Sequence, residues 1–293
     1  MNFLVLGGYG AVGAAVVGEL RAAGHSVTTA GRDAARADRA VDLREPGLRS
    51  YREALAGIDV VVNAAGVESI DVVAATGPAA FVDITATTAY VHAVERLAPT
   101  GPVLLSVGLA PGLTNLLAAQ LHRERPARRI DVAVLLGTGD AHGAAATGWT
   151  FGLLGRRFAD PATGEPVLNF SGAHPFDLPG AGRRRLVRAD FADQHVLTRD
   201  LGVPVRTWFG LTSRFATAGL TLLSRLPGAG SLPGDAHLPG SDAWLVCAVA
   251  DDGRTRARAG RGQSLATAEI AARAAALAPT LAPGVHHLHQ VAR

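Results

Sequence analysis

A glycine-rich turn close to the start of the chain constrains its fold more than any other feature. A short apolar run, Phe3 to Leu6, leads into a turn with the pattern G-x-G-x-x-G, and an apolar helix face follows. In a dinucleotide-binding fold, Gly8 makes the tight turn, Gly10 lets the backbone approach the pyrophosphate, and Gly13 lets the helix pack on the strand. The pyrophosphate binds the unpaired amides at the helix start. We therefore predict a dinucleotide site formed by Gly8, Tyr9, Gly10, Ala11, Val12 and Gly13; an ordinary glycine-rich turn is the alternative.

The absence of lysine excludes several chemistries. All 28 basic side chains among the 293 residues are arginine. A phosphate-binding loop of the nucleoside-triphosphatase kind needs Gly-Lys-Ser or Gly-Lys-Thr to reach the terminal phosphates. The Tyr-x-x-x-Lys pair of short-chain dehydrogenases and Schiff-base catalysis also need lysine. A proton donor must therefore be histidine, tyrosine, a carboxyl group or water.

The composition indicates a globular protein of one large or two modest domains. Hydrophobic residues make up 48% and charged residues 18% of the chain. No apolar stretch approaches the ~18–20 residues of a membrane helix, and the first strand begins too early for a signal peptide. Cys247 is the single cysteine, which excludes an intrachain disulfide. We expect a cytoplasmic protein with a small-molecule substrate and neither a membrane nor a nucleic-acid partner, since the arginines are mostly dispersed and aromatics are only 5%.

The order of predicted elements indicates an α/β fold with a Rossmann-type doubly wound parallel sheet, followed by a second α+β domain. Residues 1–125 alternate apolar strands with helices and form the dinucleotide-binding domain. Residues 126–262 form a substrate domain containing an antiparallel sheet, with a hairpin at Asp252-Gly253. Residues 263–293 form a helix and tail that return to the first domain. Two segments rich in proline and glycine, 160–182 and 227–241, are expected to be loops.

Residues at the carboxyl ends of the predicted parallel strands are candidates for cofactor contact, because ligands bind beyond this edge of such sheets. One explanation of Asn63 is that it orders the turn while Ala64 beside it touches the ribose. Turn chemistry is the alternative for Asp83 and Thr85. Ser106 to Gly108 end the sixth strand. The cofactor-binding candidates at these ends are Arg32, Asn63, Ala64, Asp83 and Thr85.

The residue type after the second strand favours NADP over NAD. NAD-binding folds usually place an acidic residue there to hold the ribose hydroxyls, and NADP-binding folds use arginine. Arg32 lies 19 residues after Gly13, with Arg36 in support one turn further on. Arg32 can pair with a 2′-phosphate. The alternative is that Asp33 holds the ribose and Arg32 is solvated, so NAD remains possible.

Several segments resemble the saccharopine dehydrogenase-like (saccharopine reductase-type) family. They are Pro111 to Ala118 (PGLTNLLA), Asp83 to Thr85, the block from Gly139 to Thr150, and the C-terminal pattern at 267–285. The resemblance implies NADP-dependent hydride transfer to or from a C=N bond, an imine or a secondary amine, of a small amino-acid-like substrate. It also implies a homodimer. A protonated imine already draws hydride to its carbon, so the site has mainly to orient it and balance charge.

Candidate catalytic and substrate residues lie in and after the glycine-aspartate block. We expect His142 to donate or relay a proton and Asp140 to stabilise an iminium or amine; helix capping by Asp140 is the alternative. Trp149 and Thr150 are expected to wall the pocket, although Trp149 also fits a core position. Asn115 is expected near the cofactor, or else makes a polar contact that stabilises its helix.

Arginine is the natural partner of a substrate carboxylate, and Arg214 is the candidate, with Arg183 to Arg185 as an alternative or a solvated face. Ser213 is expected to cap its helix. His286, His287 and His289 lack the paired ligand spacing of a zinc site, so no metal is expected.

Two other functions remain open at this stage. A non-catalytic NADP(H)-binding sensor or regulatory protein would use the same dinucleotide fold. An NADPH-dependent carbonyl reductase would need an effective acid, for which His142 is the candidate. A sensor has no need of a substrate domain, and the second domain with Asp140, His142 and Trp149 therefore favours catalysis.

Overall fold

The protein folds into two compact units in a computed structural model, which describes residues 1–139, 144–226, 228–229 and 240–292. The first unit is Met1–Gly112 with Ser264–Arg293, and the second is Leu113–Gln263. Residues 113–125 were predicted to belong to the first domain, whereas Leu113–Glu124 form a helix that packs within the second unit. Asp140, His142 and most of the expected loop 227–241 lie outside the described residues.

The first unit is built on a parallel sheet flanked by helices. Its strands, numbered along the whole chain, are β1 (Asn2–Leu6), β2 (Ser26–Gly31), β3 (Arg39–Ala40), β4 (Val60–Asn63), β5 (Ala80–Asp83), β6 (Pro102–Leu105) and β15 (Gly284–His287). The helices are α1 (Ala11–Ala22), α2 (Arg49–Ala54), α3 (Ile70–Ala75), α4 (Thr88–Glu95), α9 (Gln263–Leu277) and α10 (Leu288–Val291). Within the described residues the sheet has seven strands in the order β15-β6-β5-β4-β1-β2-β3.

The central strands form this sheet because they are apolar on both faces. Phe3 to Leu6 and Val60 to Val62 are at most 1% exposed, as expected when helices cover both faces of a parallel sheet. Every adjacent pair of strands is parallel. The predicted Rossmann-type fold is therefore confirmed. The C-terminal tail adds β15, which pairs with β6 at the edge of the sheet.

The second unit holds a mixed sheet. Its elements are α5 (Leu113–Glu124), β7 (Ile130–Leu136), α6 (Ala144–Gly152), β8 (Arg157–Ala159), β9 (Pro166–Leu168), β10 (Ser171–Leu178), β11 (Gly182–Arg188), α7 (Ala192–Leu201), β12 (Val205–Leu211), α8 (Arg214–Leu223), β13 (Ala243–Ala250) and β14 (Thr255–Arg261). The strand order is β10-β11-β12-β7-β13-β14. The expected antiparallel pairing and the β13–β14 hairpin are present, and the β7–β12 pair is parallel.

The expectation of a loop over 160–182 was wrong. This segment contains β9 and β10, and β10 pairs with β11. Only Phe176 and Leu178 of β10 are buried, so the strand lacks a sustained apolar alternation. Its prolines and glycines then dominate the pattern, which is why the segment resembled a loop.

The core of the second unit contains the single cysteine, in a cluster with Ala133, Leu135, Phe176, Leu178, Leu186, Trp208 and Leu245. A buried ion pair joins Arg188 Nη1 to Asp160 Oδ2 at 2.9 Å.

All three tryptophans lie in the second unit, and all three tyrosines lie in the first. Among the described residues, no helix is both long enough and apolar enough to cross a membrane.

Candidate functional site

The glycine turn joins β1 to α1, and Gly7 rather than Gly8 makes its tight bend. Gly7 has a φ of 71°, in the left-handed region that favours glycine. Its N–H donates to Ala30 O at 2.8 Å, and its carbonyl accepts from Gly10 N at 2.8 Å. Gly8 instead lies against Thr29, whose side chain a Cβ at Gly8 would approach to 2.8 Å. The tight bend therefore lies one residue earlier than the glycine pattern predicted.

The first turn of α1 has the features of an anion site. Gly10 is the N-cap residue and provides no side-chain hydrogen bond, and the first turn carries no acidic residue. A Cβ at Gly13 would lie 2.1 Å from Gly7 O, so glycine is required for the close packing of helix on turn. The amides at this helix start, with the positive end of the helix dipole, can bind a diphosphate. The residues present therefore fit a dinucleotide.

The end of β2 presents one arginine without a partner. Arg32 is exposed and makes no side-chain hydrogen bond or ion pair with the part of the chain that the structure describes. Asp33 Oδ1 accepts from Ala35 N at 3.0 Å. Asp38 Oδ2 accepts from both the backbone N and the Oγ1 of Thr29 at 2.8 Å, and these hydrogen bonds hold the pKa of Asp38 below its usual value. Both carboxylates near this end are thus already engaged.

Tyr9 and Arg36 pack together beside the glycine turn. The Arg36 guanidinium lies 4.4 Å from the centroid of the Tyr9 ring, and its Nη2 donates to Tyr9 O at 3.3 Å. The Tyr9 ring lies against Gly31, where a Cβ would be 2.4 Å from the ring. Arg36 is therefore held against the turn, while Arg32 stays open to solvent.

A buried polar cluster orders the carboxyl ends of β4 and β5. Asp83 accepts from Asn63 Nδ2 at 2.9 Å, from Tyr90 Oη at 2.9 Å and from Thr85 N at 2.8 Å. Burial raises the pKa of Asp83 above its usual value. Asn63 also donates to Val67 O and accepts from Ala65 N, so it orders the turn as expected. Ala64 is half-buried beside it, with its N–H donating to Leu6 O at 3.0 Å.

A second polar cluster follows β6 and was missed by the sequence analysis. Ser106 Oγ lies 2.9 Å from His287 Nδ1, and His287 Nε2 lies 2.8 Å from Glu95 Oε1. Ser106 is 1% and His287 2% exposed. The three residues are separated by up to 192 positions in the sequence. Ser106 was considered only as the end of a strand and His287 only as a possible metal ligand, and nothing in the sequence pattern brought the two side chains together.

The remaining candidates lie in the second unit. Asn115 is fully buried on α5. The half-buried Trp149 ring makes an edge contact with Phe191 at a centroid distance of 4.7 Å, and Thr150 is half-buried beside it. Arg214 Nη2 donates to Arg183 O at 3.0 Å, and Ser213 Oγ caps α8 by accepting from Ala216 N.

Asp140 and His142, the two catalytic candidates, lie outside the described residues. Within the ranges that the structure describes, no group of three or more histidine, cysteine, aspartate or glutamate side chains is arranged to hold a metal ion.

Comparison with known proteins agrees with the fold. A sequence model described as the NAD dependent epimerase/dehydratase family matches residues 3–108. Apo saccharopine dehydrogenase (L-Glu forming) from Saccharomyces cerevisiae superposes with a TM-score of 0.64 at 12% identity, covering 98% of this chain and 94% of that one. A mutant meso-dapdh with DAP from Clostridium tetani E88 gives a TM-score of 0.49 at 13% identity, covering 99% and 94%. No curated protein matches the chain.

The fold is therefore the two-domain fold of the saccharopine dehydrogenase structure, with a parallel sheet in one unit and a mixed sheet in the other. The chain is similar to that structure over nearly its whole length. The resemblance drawn from the sequence motifs is thus confirmed at the level of the fold.

Proposed function

We propose that this protein is an NADP-dependent oxidoreductase that transfers a hydride to or from the C=N bond of a small amino-acid-like substrate. The observation that carries the proposal is the uncapped start of α1 behind a glycine turn, with an unpaired arginine at the end of β2. A bound nicotinamide coenzyme supplies the hydride or accepts it.

The diphosphate is the best supported part of the ligand. The backbone amides of Ala11 to Gly13 follow an N-cap that satisfies none of them with a side chain. An anion at this position gains hydrogen bonds and the favourable end of the helix dipole without displacing a protein group. Tyr9 and Val12 are half-buried within this turn and are proposed as further cofactor contacts.

The preference for NADP is supported by the difference between the charged side chains at the end of β2, of which some are hydrogen-bonded within the protein and one is not. Asp33 and Asp38 accept hydrogen bonds from the protein, whereas Arg32 keeps its donors for a ligand. A charge-assisted hydrogen bond contributes about 1.5–3 kcal/mol, so Arg32 favours a 2′-phosphate by roughly 10- to 150-fold. Arg36, held against Tyr9, adds positive charge beside the same edge.

The choice of a C=N substrate is supported by the motif resemblance and by the fold shared with saccharopine dehydrogenase. His142 and Asp140 are proposed as proton relay and iminium-stabilising group. Trp149, Thr150 and Arg214 are proposed substrate contacts, with Asn115 and Thr85 proposed near the cofactor. A homodimer is proposed on the same resemblance, and light scattering of the purified protein tests it.

Coenzyme binding is tested by calorimetric titration of the Arg32→Ala variant with NADPH and NADH. We expect NADPH affinity to fall roughly 10- to 150-fold, because the 2′-phosphate loses its partner, while NADH affinity changes little. Arg44→Ala is the matched control, since Arg44 is also an exposed arginine of the first unit that follows β3. Equal affinity of wild type and Arg32→Ala for NADPH contradicts the assignment of Arg32.

Catalysis is tested by following NADPH oxidation over pairs of amines and carbonyl compounds. Turnover that requires both partners supports imine reduction, and turnover on the carbonyl compound alone indicates a carbonyl reductase. Tight binding of NADPH without turnover on any C=N or C=O compound indicates a non-catalytic sensor and contradicts the proposed activity.

A further inference from the structure

An exposed apolar stripe runs along α8 and into the turn that follows this helix. Phe215, Leu222 and Leu226 are 92%, 65% and 50% exposed, and they are three of the six large hydrophobic side chains that the described part of the chain exposes. Their spacing of seven and four residues places them on one face of a helix. Thr217 and Leu220 on the opposite face are buried, and α8 packs on β11 and β12. The three exposed side chains, here called the α8 stripe, therefore point away from the sheet.

A cavity of about 610 Å³ adjoins the end of this stripe. Leu226 lines the cavity together with Arg156, Arg157 and Arg225, and its described lining holds no acidic residue. The three arginines are exposed, and their side chains form no hydrogen bond or ion pair with the residues that the structure describes. They are called the arginine cluster below. Apolar and cationic side chains thus meet at one end of α8.

Positive charge concentrates in the second unit as a whole. Leu113–Gln263 contains 18 of the 28 arginines and 13 of the 25 acidic residues, a formal charge of +5. The first unit, with the other 10 arginines and 12 acidic residues, has a formal charge of −2. The field of the second unit therefore attracts an anionic partner, whatever the net charge of the whole chain.

The charges at the two ends of α8 argue against a second copy of the chain as the cover of the stripe. Arg214 begins the helix and Arg225 follows its end. A two-fold axis brings two α8 helices together either antiparallel or parallel, and both arrangements place arginine beside arginine. Like charges brought together at an interface oppose association. The occupant that fits is therefore one that is both anionic and apolar.

We propose that the α8 stripe and the arginine cluster bind the second unit to the surface of an anionic lipid bilayer. The stripe enters the boundary between headgroups and acyl chains, with α8 lying in the plane of the surface. The arginine cluster pairs with headgroup phosphates, which supply the negative charge that the second unit lacks. The expectation of no membrane partner rested on the lack of an apolar stretch long enough to span a bilayer, which a surface contact does not require.

The test is flotation of the purified protein with lipid vesicles on a density gradient. Vesicles of phosphatidylcholine alone are compared with vesicles that also contain phosphatidylglycerol, whose headgroup is anionic. We expect the protein to float with the anionic vesicles and to remain behind with phosphatidylcholine alone. Added salt should weaken the binding, because it screens the attraction between the arginines and the phosphates.

Two substitutions test the apolar and the cationic part separately. Leu222→Ser removes apolar surface from the stripe, so the affinity for anionic vesicles should fall roughly 10-fold or more. Arg225→Ala removes one charge and should lower this affinity roughly 5-fold. The matched controls are Leu265→Ser, at a leucine of the first unit that is 64% exposed, and Arg44→Ala, at an exposed arginine of the same unit. Both controls should bind as the wild type does.

The folding of the variants is checked by their melting temperatures. Leu222 is 65% exposed, so Leu222→Ser removes little packing and should melt as the wild type does. Phe215→Ser is the second stripe variant, because a side chain that is 92% exposed contributes almost nothing to the core. Neither residue belongs to the proposed coenzyme site, so titration with NADPH should give the wild-type affinity in both variants.

Several outcomes overturn the proposal while leaving the coenzyme site untouched. They are no flotation with anionic vesicles, and equal flotation with phosphatidylcholine alone. If Leu222→Ser and Phe215→Ser both float as the wild type does, the arginines bind headgroups without insertion of the stripe, and the proposal is wrong. If the wild type ignores vesicles but self-associates by light scattering, and Leu222→Ser does not, the stripe is an interface between copies.

Discussion

At the scale of single residues, the first unit concentrates polar side chains at the carboxyl ends of its parallel strands. Asn63 and Asp83 were predicted there because they directly follow apolar runs, and the structure joins them at 2.9 Å. Their position could be predicted from the sequence, since carboxyl ends of parallel strands share one edge. The contact of Tyr90 with Asp83 and that of His287 with Ser106 could not be predicted, because Tyr90 lies on a helix and His287 on a strand that is distant in the sequence. Sequence spacing carries no signal for such contacts.

The backbone of Ser106, whose φ of 56° is in the left-handed region, gives a stability prediction for this scale. Alanine at a left-handed φ is disfavoured by about 1–2 kcal/mol, and glycine is not. Both Ser106→Gly and Ser106→Ala lose the hydroxyl, so the difference in stability between the two variants measures the effect of the backbone conformation. We expect Ser106→Gly to have a free energy of unfolding about 1 kcal/mol higher than Ser106→Ala in urea titrations. Equal stability, or a more stable alanine variant, contradicts the left-handed conformation at this position.

At the scale of elements, apolar runs and glycines predicted the strands and helices of the first unit closely, because strands buried on both faces of a parallel sheet are continuous apolar runs. The second unit was harder. β10 exposes most of its residues, so it lacks the alternation by which strands are predicted. α5 continues the strand–helix alternation of the first unit, and the pattern does not say in which unit a helix packs. The candidate site was also predicted only in part. The glycine turn and β2 were predicted from the sequence, whereas the pairing of β6 with β15 was not.

Helix α1 offers a matched pair of glycines for testing the turn. A Cβ at Gly13 would meet Gly7 O at 2.1 Å, whereas a Cβ at Gly18 has nothing within 4 Å. We expect Gly13→Ala to abolish NADPH binding and lower the melting temperature, because the helix must move away from the turn. Gly18→Ala should keep NADPH binding and raise the free energy of unfolding by up to about 1 kcal/mol through helix propensity. Calorimetry and thermal unfolding measure both, and NADPH binding by Gly13→Ala at wild-type affinity contradicts the close packing.

At the scale of the whole molecule, the chain leaves the first unit after Gly112 and returns to it at Ser264. β15 then closes one edge of the parallel sheet by pairing with β6. Removing the C-terminal segment therefore takes away a strand of the first unit and not a dispensable tail.

Cys247 reports on the second unit alone. Its side chain is 1% exposed in the core cluster, and burial raises the pKa of Cys247 to about 11. The thiolate is the reactive form, so a thiol reagent at pH 8 should label the native protein roughly 100-fold or more slowly than the urea-unfolded chain. Quantitative labelling of the native protein at the unfolded rate contradicts the burial of this side chain.

The separation of aromatic residues has an optical consequence. Trp149, Trp208 and Trp244 all belong to the second unit, while a reduced coenzyme on the glycine turn would belong to the first. Indole emission overlaps the absorption of reduced nicotinamide, so a reduced coenzyme within energy-transfer distance of these donors would be excited through them. Coenzyme fluorescence excited through the tryptophans would then report binding of the reduced coenzyme without any attached dye.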